Sequence, residues 1–173
     1  IYTLFMGLAA RMLHNVTACF IVPRSFCSGS YFTRFRQEFL DRVTVQHIHL
    51  FESRIAAFSQ DDVLQENLVI TFKPQNEVRD SRVKISSSAT LDELAYGVAA
   101  RQITKTQFIS SVGLLRLPTS KLDEMILDVV DHWTGSFRAH DLTISTGPVV
   151  PFRAEEYLIN ELNGTPVVPL IWM

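Results

Sequence analysis

The hydrophobic pattern at the start of the chain changes from the period of a helix to the unbroken run of a strand. Residues 1–13 place apolar side chains at helical spacing, and His14 and Asn15 follow where the helix closes. Residues 17–22 form an apolar run that Pro23 ends. A continuous run is typical of a strand buried on both faces of a sheet. The pattern therefore predicts a helix followed by a buried strand.

The next segment predicts a second amphipathic helix. A Ser-Gly-Ser turn at residues 28–30 supplies an N-cap, and a helix over residues 31–42 follows. We expect Arg34 and Arg36 to point away from the apolar face of this helix. That face is formed by Phe32, Phe35 and Phe39.

Two further strands are predicted, at residues 43–50 and 67–72. The order helix–strand–helix–strand without tight hairpin turns indicates an α/β layer architecture. The link over residues 51–66 is long, and loops of that length are usually functional or disordered. His47 and His49 alternate on the first of these strands, but no third metal ligand lies nearby in the sequence. A solvated strand face is therefore predicted instead of a metal site.

A polar stretch at residues 73–81 predicts a boundary, which divides the chain into residues 1–75 and 76–173. After it, residues 83–87 form a candidate short strand, and residues 91–102 fit either a helix or a strand.

A helix is predicted at residues 120–133, where Ser120 and Asp123 have the spacing of a capping box. From residue 143 onward, glycines and prolines punctuate short apolar stretches. The helix predicted at residues 120–133 carries an apolar stripe of Leu122, Met125, Ile126, Val129, Val130 and Trp133.

Composition narrows the function classes only slightly. The 173 residues are 47% apolar, enough for a core, and the formal net charge is −2. A free-standing DNA-binding domain is usually clearly basic, so any DNA contact has to come from local arginines. Cys19 and Cys27 have neither metal-site nor disulfide-framework spacing, which predicts reduced thiols and a cytoplasmic protein. The longest apolar run, residues 18–22, is too short to span a bilayer, so no membrane partner is expected.

Three side chains are candidates for contacts with a nucleic acid. Phe58 lies in a polar loop, where it is either a stacking platform for an extruded base or an aromatic tucked under its own strand. Arg24 and Arg54 each follow a strand end, where ligands bind in open α/β sheets. Both are candidate phosphate contacts. The alternative is a surface arginine paired with Glu52 or Asp61.

Other motifs are weaker. The Gln-Glu-Asn run at residues 65–67 opens the third strand, and its amides contact a base edge or cap a turn. The Ser-Thr-Gly-Pro run at residues 145–148 is a turn by composition. No Ser/His/Asp order, P-loop or paired-carboxylate pattern stands out.

Residues 19–74 contain, in order, an apolar strand, Pro-Arg-Ser-Phe, an aromatic amphipathic helix, a strand ending in Phe-Glu-Ser-Arg, a loop with Phe58 and a third strand. This order resembles the distal half of the catalytic domain of adenine-specific DNA methyltransferases from restriction–modification systems. Neither the glycine-rich cofactor loop nor the Asn-Pro-Pro-Tyr catalytic motif of that family occurs in the chain, so we expect a piece of an enzyme with no catalytic residue of its own. The similar segments are residues 1–5, 20–26, 53–58, 63–67, 144–153 and 169–172.

The resemblance implies the C-terminal half of a Rossmann-like sheet, whose fifth, sixth and seventh strands this chain supplies with the last antiparallel, followed by a mixed α+β region that begins target recognition. It implies S-adenosylmethionine as cofactor, with Tyr2 and Phe5 in the cofactor-binding segment and Phe58 stacked on the adenine flipped out of double-stranded DNA. The missing N-terminal half of the enzyme is an expected partner. Because the strand at residues 17–22 pairs in the family with the strand carrying the catalytic motif, we also expect an exposed apolar edge there.

Two competing interpretations stay open at the level of the sequence. One is a non-enzymatic α/β interaction module whose arginines pair with acids of a partner. The other is an RNA or protein methyltransferase with the same half-fold.

Overall fold

The computed structural model describes residues 1–52, 66–75, 82–143 and 155–159, which contain five α-helices and five strands beside short 3-10 turns. The helices are α1 (Tyr2–Met12), α2 (Thr33–Leu40), α3 (Leu91–Tyr96), α4 (Lys105–Phe108) and α5 (Lys121–Asp131). The strands are β1 (Ala18–Pro23), β2 (Val43–Phe51), β3 (Asn67–Pro74), β4 (Val83–Ser88) and β5 (Arg101–Ile103).

The five strands form one mixed sheet in the order β1-β3-β2-β4-β5. β3 lies between β1 and β2 and is antiparallel to both, while β4 is parallel to β2 and antiparallel to β5. β1, β2 and β4 therefore run in the same direction, and their ends at Pro23, Phe51 and Ser88 lie at one edge of the sheet. The first residue of β3, Asn67, lies at the same edge, which we call the carboxyl edge. The α/β class and an antiparallel third strand are confirmed.

One face of the sheet carries the core. Met6 and Ala10 of α1 and Phe39 of α2 pack against it with the 3-10 turn Arg24–Cys27. On β2 the apolar alternation shifts at a bulge between Val45 and His47, which explains the irregular pattern in the sequence. The buried strand residues of this face are Val22, Val43, Val45, Ile48, Leu50, Leu68, Ile70, Phe72, Val83, Ile85 and Ile103.

The expectation that β1 is buried on both faces is wrong. Val22 is buried, but Ile21 is 60% exposed and Cys19 is exposed as well. Among the described strands, β1 pairs with β3 alone and lies at the end of the sheet. Cys19 and Ile21 alternate with the buried Val22 and lie on the face of the sheet away from the core, which agrees with the exposed apolar edge expected there.

The boundary expected at residues 73–81 falls inside one sheet. β4 and β5 follow that stretch in the chain and still pair with β2 and with each other. The first compact unit extends to Asp131, and His132–Met173 forms a second unit. In the second unit, the described residues form 3-10 turns at Phe137–His140 and Glu155–Tyr157.

Residues 91–102, which fit either helix or strand, contain both: α3 is followed by the start of β5. The capping box of α5 is confirmed, since Ser120 Oγ accepts from Asp123 N at 3.1 Å and Asp123 Oδ2 accepts from Ser120 N at 2.9 Å. The apolar stripe of α5 is exposed, however.

Two ion pairs on the acidic side of α5 account for the exposure of its apolar stripe. Glu124 accepts from Arg101 at 2.6 Å, and Asp131 accepts from both terminal nitrogens of Arg116. These ion pairs attach the acidic side of α5 to β5 and to the segment after α4. An amphipathic helix attached through its polar side presents its apolar side outward.

Candidate functional site at the carboxyl edge

The carboxyl edge holds a cleft of about 320 Å³, which we call the carboxyl-edge cleft. Ligands of open α/β sheets bind beyond the carboxyl ends of strands, and small-molecule sites begin at roughly 300 Å³. Both its place and its size make the cleft the candidate functional site. It is lined by Arg24, Leu50, Phe51, Glu52, Glu66, Asn67, Ser87, Leu117, Thr119 and Asp123.

Arg24, a predicted phosphate contact, lies in this cleft directly after β1. Its Nη1 is 3.3 Å from Glu66 Oε2, and its backbone N–H donates to Glu66 O at 2.8 Å. The acidic partner is thus Glu66, where the sequence suggested Glu52 or Asp61. Both side chains are nearly half exposed, and exposed ion pairs contribute at most about 1 kcal/mol. Arg24 can therefore exchange Glu66 for a phosphate at small cost.

The other two carboxylates of the cleft, Glu52 and Asp123, already accept hydrogen bonds within the fold. Glu52 accepts a hydrogen bond from Ser87 Oγ at 2.6 Å, which joins the ends of β2 and β4. Asp123 accepts from the backbone N–H groups of Ser120 and Thr119 at the start of α5, each at 2.9 Å. These hydrogen bonds lower the pKa of the Asp123 carboxyl, so it remains a charged cap.

The two predicted cofactor residues lie on α1, whose first turn reaches the carboxyl edge. Tyr2 Oη lies 2.9 Å from Ser25 Oγ, and its ring packs against Phe26 and Phe32. Burial raises the pKa of the Tyr2 phenol. Phe5, by contrast, is 61% exposed. The geometry leaves the Phe5 ring open to stack on a flat group, whereas the Tyr2 ring is already engaged within the fold.

Arg36 is the main residue that sequence reasoning misplaced. Its side chain is 2% exposed, and its guanidinium donates to three backbone carbonyls: Phe26 O at 3.0 Å, Gly29 O at 2.7 Å and Gly113 O at 2.8 Å. It joins α2 to the loop that carries Arg24 and to the turn before Leu115. The loop at the end of β1 is therefore held by a buried arginine.

The periodicity of α2 contained a signal for this position. Arg36 is four residues after Phe32 and three before Phe39, so helical spacing places it on the aromatic face and not away from it. The expectation was right for Arg34, which is exposed and pairs with Glu38 at 2.9 Å. The charge of Arg36 favours an outward position, but an arginine can be buried where carbonyls accept from its donors.

His47 and His49 also depart from expectation, because they belong to a polar network and not to a solvated face. His47 Nε2 lies 2.8 Å from Ser86 Oγ, and His49 Nδ1 lies 2.9 Å from the same oxygen. His49 Nε2 lies 3.0 Å from Ser88 Oγ, which donates to Thr90 O at 2.8 Å. His49 is 2% exposed.

The hydrogen bond from Ser88 to Thr90 determines which atoms donate in the rest of this network. Since the one proton of Ser88 goes to Thr90 O, Ser88 must accept from His49 Nε2–H. A neutral His49 then accepts at Nδ1 from Ser86, and Ser86 accepts from His47 Nε2–H. Burial lowers the pKa of both imidazoles, with smaller contributions from Lys84 at His47 and from His47 at His49.

The remaining predicted site residues, Arg54 and Phe58, lie outside the described residues, as do residues 144–153 and 169–172. In the part of the chain that the structure covers, no cluster of three or more His, Cys, Asp or Glu side chains is arranged to hold a metal ion. Within the same part, none of the helices combines the length and the apolar character that crossing a membrane requires.

Two curated proteins are similar to nearly the whole chain. M.BsuBI of Bacillus subtilis, a type II methyltransferase, is 32% identical over 174 residues that cover 99% of this chain. M.PstI of Providencia stuartii, also a type II methyltransferase, is 30% identical over 97% of the chain. The chain is similar to type II methyltransferases throughout. This similarity confirms the resemblance to methyltransferases of restriction–modification systems that was drawn from the sequence.

The similarity has a defined extent. The chain spans about a third of the length of these relatives, 34% in each case. No protein-family model matches the chain. The match extends over the sheet, the carboxyl-edge cleft and the later segments. It is therefore not limited to residues 1–75, the part expected to form half of a catalytic domain.

Proposed function

We propose that the chain is the distal part of the catalytic domain, with the start of the target-recognition region, of an adenine-specific DNA methyltransferase of a restriction–modification system. The observation that carries this proposal is the similarity to two type II methyltransferases over nearly the whole chain. In this proposal β1, β2 and β3 are the last three strands of a Rossmann-like sheet. The interaction-module alternative offers no reason for similarity of that extent.

In this function the chain binds and orients, while the remainder of a protein of the relatives' length supplies the catalytic motif. S-adenosylmethionine supplies the methyl group when bound. Phe5 is the side chain of this chain that fits an aromatic contact with the cofactor, because its ring is exposed. Tyr2 holds the loop after β1 through Ser25 instead. Held geometry of this kind contributes to rate by keeping reactants aligned.

Double-stranded DNA with a flipped adenine is the proposed substrate. Arg24 and Arg54 contact phosphates, and Phe58 stacks on the flipped base. A stacking contact contributes ~1–3 kcal/mol per base, so Phe58→Ala in the whole enzyme is expected to weaken binding of duplexes with an abasic site opposite the target about tenfold. Phe58→Trp should retain most of the binding. Unchanged binding and turnover with a lower melting temperature would make Phe58 a packing residue.

The proposed function is tested by methyl transfer from labelled S-adenosylmethionine. A protein of the relatives' length that contains this chain is offered duplex DNA, RNA and a protein mixture, and labelled nucleosides are separated after digestion. Label in N6-methyladenine from DNA is the expected result. Label confined to RNA, to protein or to a cytosine product would refute the proposal. The 173-residue chain alone is expected to transfer none.

A further inference from the structure

α1 carries apolar side chains on two opposite sides. Met6 and Ala10 pack against the sheet, whereas Leu4 and Leu8 are 75% and 54% exposed. Successive residues of a helix are about 100° apart, so Leu4 and Leu8 point nearly opposite to Met6. Arg11 is the only charged residue of α1. A helix that is apolar all round is usually covered all round, so the outer side of α1 lacks a cover within the described part of the chain.

The exposed side of α1 borders a groove of about 470 Å³ between α1 and α2, which we call the α1–α2 groove. Leu4, Leu8 and Phe35 supply apolar surface to it. Among the described residues, none lines both this groove and the carboxyl-edge cleft, so the two surfaces are separate. Phe5 lies outside the groove lining, so an occupant of the groove does not compete with a cofactor contact at Phe5.

Gly7 leaves room in the groove at the middle of α1. A Cβ at this position would meet no atom within 4 Å among the described residues, so the chain itself does not require a glycine here. Glycine is less favourable than alanine inside a helix, and it is used where another backbone approaches closely. Close approach of a further helix to α1 would account for Gly7.

The groove also carries a surplus of positive charge. Arg34 Nε donates to Glu38 Oε1 at 2.9 Å, and Arg42 donates to Glu38 O at 2.8 Å. The hydrogen bond and charge of Arg34, together with the charges of Arg42 and Arg11, lower the pKa of the Glu38 carboxyl. One carboxylate cannot neutralise three guanidinium groups, so a partner with acidic side chains is complementary to this groove. The charged lining residues are Arg11, Arg34, Arg42 and Glu38.

Apolar surface with a positive rim distinguishes between occupants. An amphipathic helix lays its apolar side into such a groove, and acidic residues beside that side pair with the arginines. A phosphate backbone would leave Leu4 and Leu8 uncovered. A second copy placed about a two-fold axis would bring the same arginines opposite each other. The groove therefore fits an acidic helix best.

The relatives are long enough to supply such a helix. The chain spans 34% of each relative, which leaves about two thirds of each outside the match. We propose that the α1–α2 groove binds an acidic amphipathic helix from the part of the same methyltransferase polypeptide outside residues 1–173. This inference rests on the proposed function and adds to it the surface through which this chain contacts the rest of the enzyme.

The first test is the rate at which a maleimide labels Leu8→Cys, read by mass spectrometry of the peptide that contains residue 8. In the 173-residue chain this thiol should react freely. In the whole methyltransferase without DNA it should react at least about tenfold more slowly, which corresponds to an opening free energy of ~1.4 kcal/mol. Hydroxyl-radical labelling of the native Leu4 and Leu8 side chains makes the same comparison without a substitution.

Two reference thiols separate the outcomes. Thr106→Cys, at an exposed position on α4, should react at the same rate in both proteins, and the native Cys27, which is 2% exposed, should react slowly in both. If Leu8→Cys reacts as fast as Thr106→Cys in the whole protein, the groove is open and the inference is overturned. Protection that appears only at higher protein concentration assigns the groove to a second copy, and protection that requires DNA assigns it to the nucleic acid. Either result also overturns the inference.

The second test identifies the occupant. Arg11→Lys places a primary amine in the groove, and a carbodiimide joins that amine to a neighbouring carboxylate. The expected product links residue 11 to an Asp or Glu outside residues 1–173, with a yield independent of protein concentration. A link to Glu38 alone would overturn the acidic helix. Methyl transfer is measured on the same preparation, so a protein that protects Leu8→Cys without methylating DNA would refute the proposed function and leave the docking site standing.

Discussion

Replacing Arg36 by alanine should destabilise the chain far more than the same change at Arg34, two residues earlier on α2. The substitution removes the donor of three backbone carbonyls, at Phe26, Gly29 and Gly113. A hydrogen bond from a charged donor contributes ~1.5–3 kcal/mol. Water that enters the truncated site satisfies part of these carbonyls, so we expect a loss of about 3–5 kcal/mol, which is less than three such hydrogen bonds added together.

The assay is equilibrium unfolding in urea, followed by circular dichroism, together with thermal unfolding. For a chain of this size, 1 kcal/mol shifts Tm by roughly 2–4 °C, so Arg36→Ala should lower Tm by roughly 6–20 °C. Arg36→Lys should lie between alanine and wild type, because a lysine retains the charge but cannot direct five donors in a planar fork.

The matched control is Arg34→Ala, the same substitution two residues earlier on the same helix. Arg34 is exposed, and its pair with Glu38 is screened by solvent, so this variant should unfold close to wild type. If Arg36→Ala and Arg34→Ala unfold within about 1 kcal/mol of each other, the buried hydrogen bonds of Arg36 do not hold the loop after β1.

Three further predictions concern pH, thiols and the exposed strand. Because the folded pKa values of His47 and His49 lie below the usual 6.5, the unfolded chain binds more protons below that pH. Stability should therefore be highest above about pH 6.5 and fall as the pH drops through the folded pKa values. The fall should be smaller in a variant with glutamine at both positions. Urea titrations at pH 7.5 and 5.5 that show an equal loss of stability in the wild type and the variant would contradict the network. Cys19 should react with a thiol reagent at pH 8 much faster than Cys27, whose burial raises its pKa to about 12, and equal labelling of the native protein would show that Cys27 is accessible. The 173-residue chain should self-associate or bind a hydrophobic dye through β1, and Ile21→Lys should reduce both, so an unaltered sedimentation profile in that variant would assign the association to another surface.

Local sequence determined most of the elements. The helical spacing of residues 1–13, the apolar run before Pro23 and the Ser120 capping box each depend on neighbours within one or two turns. Such signals act before any tertiary contact, and the structure has α1, β1 and α5 where they indicate. The helical period also places Arg36 on the aromatic face of α2, although its charge suggests an exposed position.

The tertiary structure decided which faces are covered and which residues meet. Residues that share the carboxyl-edge cleft, such as Arg24, Glu52, Asn67 and Asp123, are far apart in the chain and meet because three strands run in parallel with β3 between two of them. Ile21 is exposed because it points to the face of the sheet away from the core, on a strand that lies at the end of the sheet. A sequence pattern records how apolar a position is, but burial depends on what packs against it, and that is a property of strand order and not of the strand itself.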